Sequence, residues 1–158
     1  MKNNTQKLLI QIKNLCDKRC VRLTPQRLIV LRLISQCNGG AISAYNLLRL
    51  LRKSEFPHAK PSTIYRALNF LLAQGFIHRI ESTNSFMLCH YFYELSHNFA
   101  FFICNSCKQV TEQTTKEIEK ILQSMAKIAG FIIFNNTIEA HGLCTKCFNV
   151  KLHTHFKS

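Results

Sequence analysis

The stretch PSTIYRALNFLLAQGFIHRIE, Pro61 to Glu81, decides the fold. Proline at the first turn opens a helix, because the N–H it lacks would have no partner there. Ile64, Ala67, Leu68, Leu71 and Leu72 recur at helical spacing and form one apolar stripe. Ser62, Tyr65, Arg66 and Asn69 are left on the opposite face. Gly75 suits the left-handed position that ends a helix. Phe76 to Glu81 and Phe86 to Tyr91 then read as strands of a hairpin around the polar turn Ser82-Thr83-Asn84-Ser85.

Upstream, three more helices are predicted. Leu8, Leu9, Ile12, Leu15 and Cys16 make Thr5 to Lys18 amphipathic. Thr24 and Pro25 open a second helix that stops at Asn38-Gly39-Gly40, and Ser43 caps a third that ends before Pro57. Helices followed by a hairpin make a winged helix, in which the last helix enters the major groove and places Tyr65 and Arg66 at base edges. Charge points the same way: residues 1–80 hold 14 Lys and Arg against Asp17 and Glu55, whereas residues 81–158 hold 7 against 6. Such a segregated excess focuses positive potential on one half of the chain and favours a polyanionic partner. Without the charge asymmetry, Tyr65 and Arg66 read equally well as solvated residues of a small helical domain.

Downstream, the pattern lapses and a second unit follows. Strands are expected at Phe99 to Ile103, Gln109 to Glu112, Phe131 to Phe134 and Thr137 to Gly142, with a helix at Thr115 to Ala129 whose inward row is Ile118, Ile121, Leu122 and Met125. Thr114 and Glu117 supply its capping box. About fifty residues make a poor core, so a structural metal, a partner subunit or both are implied. The expected division is 1–91 for the winged helix, 92–98 for a linker, 99–150 for the second domain and 151–158 for a frayed tail. The fold class is α+β: a winged-helix domain plus a small α/β domain.

No run of 18 uncharged apolar residues occurs, and the lysine-dotted start lacks a signal-peptide core. The chain is therefore expected to be cytoplasmic, with no membrane partner. In that reducing compartment its eight cysteines point to metal ligation rather than disulfides. Cys16, Cys20 and Cys37, among apolar helical positions, read as buried or incidental thiols. Cys104-Asn105-Ser106-Cys107 and Cys144-Thr145-Lys146-Cys147 form paired CxxC knuckles, each after a predicted strand. Four thiolates from two knuckles close a tetrahedron around zinc and leave no position for water, which is a structural site. An iron or iron–sulfur centre shares that geometry, whereas a redox CxxC normally heads a helix in a βαβ unit.

With these motifs in place, the sequence resembles the ferric uptake regulator family over Leu8 to Cys147. The resemblance is carried by Arg22-Leu23-Thr24-Pro25-Gln26-Arg27, by Pro61 to Leu68 and by both CxxC pairs. Ile80 to Ser85, the cysteine of Leu88-Cys89-His90, and Glu139-Ala140-His141-Gly142-Leu143-Cys144 look like its zinc uptake branch. The resemblance implies a homodimer that binds operator DNA when loaded with metal and represses zinc-uptake genes, the second domain being its dimerisation domain with a four-cysteine zinc staple. It implies two zinc ions per subunit, the second held by His78, Cys89, His97 and Glu112, a usual complement of imidazoles, thiolate and carboxylate. DNA contacts are expected from Tyr45, Lys60, Ser62, Thr63, Tyr65 and Arg66.

Alternatives stay open at this point. His78 alone reads as a wing residue touching phosphate and Cys89 as a buried thiol, while His90 should face away, and His141, His153 and His155 read as solvated. An iron- or peroxide-responsive regulator of the same family and, ranked last, a zinc-binding enzyme or redox protein are the other functional readings. Iron-sensing members carry a histidine-rich stretch before the first CxxC, and the single histidine in Ser96-His97-Asn98-Phe99 favours zinc. No catalytic residue and no small-molecule substrate are expected, since a four-ligand site leaves no open metal position.

Overall fold

The computed structural model describes residues 2–37, 39–54, 56–93, 99–114, 116–134 and 136–155, and the chain divides into two units, Met1–Phe92 and Tyr93–Ser158. In the first, α1 (Lys2–Lys18), α2 (Pro25–Ser35), α3 (Ala44–Arg52) and α4 (Pro61–Ala73) precede a small sheet of β1 (Ile42–Ser43), β2 (Ile77–Ile80) and β3 (Ser85–Leu88). The strands are antiparallel in the order β1-β3-β2.

Local chemistry sets these boundaries. The Thr24 and Ser43 side chains accept hydrogen bonds from Arg27 N–H at 3.4 Å and Asn46 N–H at 3.3 Å, capping α2 and α3. At the end of α4, Gly75 takes a φ of +69° while Phe76 N–H donates to the Leu71 carbonyl and Gly75 N–H to the Leu72 carbonyl. That crossed pair satisfies carbonyls that a helix end otherwise leaves unpaired. Ile64, Ala67, Leu68 and Leu71 of α4 bury against Ile29, Val30, Leu31, Ile34, Leu47 and Leu51 of α2 and α3, with Ile12 and Cys16 from α1 in the same core. Each large side chain so buried contributes about 1.5 to 3 kcal/mol before entropy is counted. The short β1 escaped the sequence reading, because two residues carry no periodicity and pair only through β3.

In the second unit β4 (Phe99–Cys104) is central, antiparallel to β5 (Val110–Thr114) on one edge and parallel to β6 (Ile138–Gly142) on the other. Two helices complete it, α5 (Lys116–Ile128) and α6 (Thr145–His155). Among the described residues its buried apolar side chains are Ala100, Phe101, Ile103, Cys104, Val110 and Ala126.

Three expectations need correction here. Phe131 to Phe134 is not a strand: Gly130, at a φ of +66°, turns the chain out of α5, and the segment runs irregular with Phe134 87% exposed. Among the described residues the sheet is complete as β5-β4-β6, and the apolar run pairs with none of its strands. The row on α5 also splits, Ile118 and Leu122 lying half-buried while Ile121 and Met125 face outward. Finally, His153 and His155 do not fray but continue α6, whereas residues 156–158, most of the 92–98 linker and Thr115 lie outside the described residues. Among the described residues no helix is long and apolar enough to cross a membrane.

Candidate metal centres and DNA-facing surface

The end of β4 builds the first centre. Cys104 is its last residue, and the knuckle that follows folds back through hydrogen bonds from Lys108 N–H to the Cys104 carbonyl (2.9 Å) and from Cys104 N–H to the Gln109 carbonyl (2.9 Å). Asn105 N–H ties the knuckle to the Gly142 carbonyl at 2.8 Å. Because Cys104 pairs with Gly142 in register, Cys144 emerges beside it, and Cys147 follows in the first turn of α6. The sulfurs of Cys104, Cys107, Cys144 and Cys147 all lie within 4.8 Å of one another, with Cys107 and Cys144 at 3.8 Å. A tetrahedron with metal–sulfur bonds of ~2.3 Å has edges of roughly 3.8 Å, so the donor set fits zinc in size as well as chemistry.

Its electrostatics suit a cation. The backbone N–H groups of Cys144, at 3.3 Å from the Cys104 sulfur, and of Cys107 favour the Cys104 thiolate and lower its pKa to about 6. A hydrogen bond from the Ser106 side chain favours the Cys147 thiolate, but the neighbouring thiols, Cys144 foremost, and burial outweigh it and push its pKa up to about 11. The Cys104 thiolate is favoured and the Cys147 thiolate is opposed. Four can stand together when a dication neutralises them.

The wing holds the second donor group. Register places His78 opposite Met87, and Cys89 N–H continues the ladder to the Phe76 carbonyl at 3.0 Å. Alternate residues of a strand share a face, so Phe76, His78, Met87 and Cys89 all lie on one side of the hairpin. Both His78 (7% exposed) and Cys89 are buried there, and Tyr91 N–H donates to the Cys89 sulfur at 3.3 Å. His90, beyond the end of β3, is exposed. In the second unit, Glu112 on β5 sits opposite Phe101 and is also 7% exposed, an unusual burial for a carboxylate. His97 lies outside the described residues.

The outer face of α4 presents Ser62, Tyr65 and Arg66 to solvent, with Thr63 half-buried and Lys60 exposed at the N-cap. Tyr45, on α3, is 76% exposed. Burial raises the pKa of the Cys16 and Cys37 thiols, which keeps them protonated and inert. His141 keeps to the surface, 3.3 Å from Asn105 Oδ1 and 4.0 Å from Glu139 Oε2. The sequence reading missed that Cys147 belongs to a helix. The spacing of Phe148 and Val150 carries no helical stripe, since both are exposed.

Residues 18–151 match the family model described as the ferric uptake regulator family. The chain is 53% identical over 154 residues to the zinc uptake regulation protein of Escherichia coli (strain K12), spanning 98% of this chain and 89% of that protein. Among solved structures it is similar to a zinc uptake regulator complexed with zinc and DNA (TM-score 0.88, 53% identity, 94% of this chain and 97% of that one). It is also similar to the holo form of XcZur (TM-score 0.82, 38% identity, 90% and 98%).

Proposed function

Because the chain belongs to the ferric uptake regulator family, we propose that it is a zinc-responsive repressor of zinc-uptake genes, a cytoplasmic homodimer that grips operator DNA when loaded with zinc and has no catalytic activity. The observation that carries this reading is the 53% identity, over nearly the full length, to a zinc uptake regulation protein and to a zinc uptake regulator complexed with zinc and DNA.

In this reading each subunit holds two zinc ions. Cys104, Cys107, Cys144 and Cys147 hold the structural one. His78, Cys89, His97 and Glu112 hold the regulatory one, drawing ligands from the wing, the linker and β5. Two heads of a dimer occupy successive half-sites only when held about one helical turn, ~34 Å, apart. Ligands drawn from both units restrain the head, and a shift from mostly incompetent to mostly competent needs roughly 5 kcal/mol of differential zinc binding. Tyr45, Lys60, Ser62, Thr63, Tyr65 and Arg66 then meet the duplex. The iron- or peroxide-responsive alternative is disfavoured by Cys89, since a thiolate in a tetrahedral set suits zinc, and iron sensing prefers nitrogen and oxygen ligands.

The test is a titration of DNA binding against free zinc and free ferrous iron, using the duplex that the zinc-loaded protein selects from a random-sequence library. Zinc is expected to raise affinity at far lower free concentration than iron. Cys89→Ser should fold and dimerise yet lose the zinc-dependent rise, leaving weak, salt-sensitive binding by the basic heads. A wild-type zinc response in Cys89→Ser removes Cys89 from the regulatory set, and a preference for iron overturns the zinc reading.

A further inference from the structure

Three arginines grip α4 and its flanks from neighbouring segments, and among the described residues their hydrogen-bond and ring partners are neutral. At the C-terminal end, Arg19 donates from Nη1 to the Gln74 carbonyl at 2.6 Å and from Nη2 to the Phe92 carbonyl at 3.4 Å, with its guanidinium carbon 5.4 Å from the Phe76 ring centroid. Midway along, the Arg27 guanidinium carbon lies 3.7 Å from the centroid of Phe70, and its Nη1 donates to the Arg22 carbonyl at 2.6 Å. Ahead of the N-terminus, Arg52 Nε donates to the Ala59 carbonyl at 2.9 Å.

Each contact answers a local need of the helix. Lys60, at the N-cap, makes no side-chain hydrogen bond to the first turn, so no side-chain cap of its own locks the entry of α4. Arg52 does so from the end of α3, by holding the buried residue two positions before Pro61. Gln74 is the C-cap, where helix carbonyls lack partners and the dipole is negative, which is where a guanidinium is favoured. Arg27 stacks on Phe70 on the flank of the helix. A lysine ammonium has neither the planar fork nor the stacking face that these contacts use.

We propose that Arg19, Arg27 and Arg52 are positioning residues for sequence reading. They fix the roll and axial position of α4 so that Tyr65 and Arg66 meet base edges. Their partners are carbonyls and rings, so the bracing leaves their positive charge in place, in a stretch whose only acids up to residue 80 are Asp17 and Glu55. The same side chains therefore shape the reader and keep the field that draws DNA to it. This rests on the DNA-binding reading above.

The test uses the full-length, zinc-loaded protein with Arg19→Lys, Arg27→Lys and Arg52→Lys made separately. Fluorescence anisotropy is read on the selected duplex and on a scrambled duplex across a salt series, beside thermal melting. Each variant keeps its charge, so affinity for the selected duplex should fall about fivefold to tenfold while the scrambled duplex and the salt slope barely change. An unchanged ratio between the duplexes overturns the proposal, including when the melting temperature drops, because the arginines then serve the fold alone. Parallel weakening on both duplexes with a changed salt slope also overturns it, in favour of direct phosphate contact. If the unmodified protein selects no duplex, the DNA-binding reading itself falls and the bracing falls with it.

Discussion

The two units treat their apolar residues in opposite ways. In Met1–Phe92 the stripes of four helices converge on one core, and Leu31, Leu47, Leu51, Leu68 and Leu71 are fully enclosed. In Tyr93–Ser158, Ile121, Met125, Ile128, Phe131, Ile132 and Phe134 stay at the surface, Ile128 at 86%. A contiguous chain segment this apolar marks an interaction surface rather than a failed core. The first unit is built to stand by its own burial. In the proposed function the second is completed, from within by a metal staple and from outside by a second copy of the chain.

The largest break in that contrast should come from the staple. Cys104→Ser removes the sulfur around which the knuckle is hydrogen-bonded, and structural zinc supplies apparent binding energies of ~10 kcal/mol or more to small domains. Calorimetry of the zinc-loaded variant should show the transition of the second unit lost or shifted down by tens of degrees, while that of the winged helix stays. Retention of both transitions after the mutation, and after exhaustive chelation of the unmodified protein, would mean the second unit is held by burial alone.

A smaller break should come from the exposed face. Ile128→Asp or Ile132→Asp places a charge where the dimer is proposed to bury hydrocarbon, and should weaken dimerisation by ~3 kcal/mol, roughly a hundredfold. An ordinary exposed residue would change stability by less than about 0.5 kcal/mol. Sedimentation at a range of concentrations separates the two, and a dimer of unchanged strength assigns this face to something other than the subunit interface.

What the sequence disclosed follows the same division. In the winged helix, periodicity, caps and the Gly75 stop all act locally, so α4 and its outer face could be placed from residue types alone. The hairpin ran long in expectation, to Tyr91 instead of Leu88: Cys89 adds one hydrogen bond to the Phe76 carbonyl past the end of β3, and the chain leaves the ladder after it. In the second unit apolarity was misread as strand at Phe131 to Phe134 and as an inward row at Ile121 and Met125. A single chain cannot distinguish a side chain buried by its own fold from one reserved for a partner. The knuckle spacing was legible because tetrahedral thiolate coordination fixes it. The arginine contacts were not, since Arg19 reaches Gln74 and Phe92 across 55 and 73 residues of sequence.

The smallest expected effect sharpens the contrast inside the winged helix, between residues that read and residues that merely attract. Arg66 lies on the outer face of α4, away from the stripe of Ile64, Ala67, Leu68 and Leu71, so its removal leaves the core intact. A bidentate contact from arginine to a guanine edge is worth about 1 to 3 kcal/mol of discrimination. Arg66→Ala should therefore weaken the selected duplex by that amount and relax preference at one position, with little change on scrambled DNA. Lys60 is exposed at the N-cap, placed to meet phosphate as the helix enters the groove. Lys60→Ala should weaken both duplexes alike and reduce the salt slope by roughly one. Affinities of both variants on both duplexes, each measured across a salt series, complete the comparison. Equal loss on the two duplexes for Arg66→Ala would move Arg66 from the reading group to the attracting one, and would leave Tyr65 as the remaining candidate on that face.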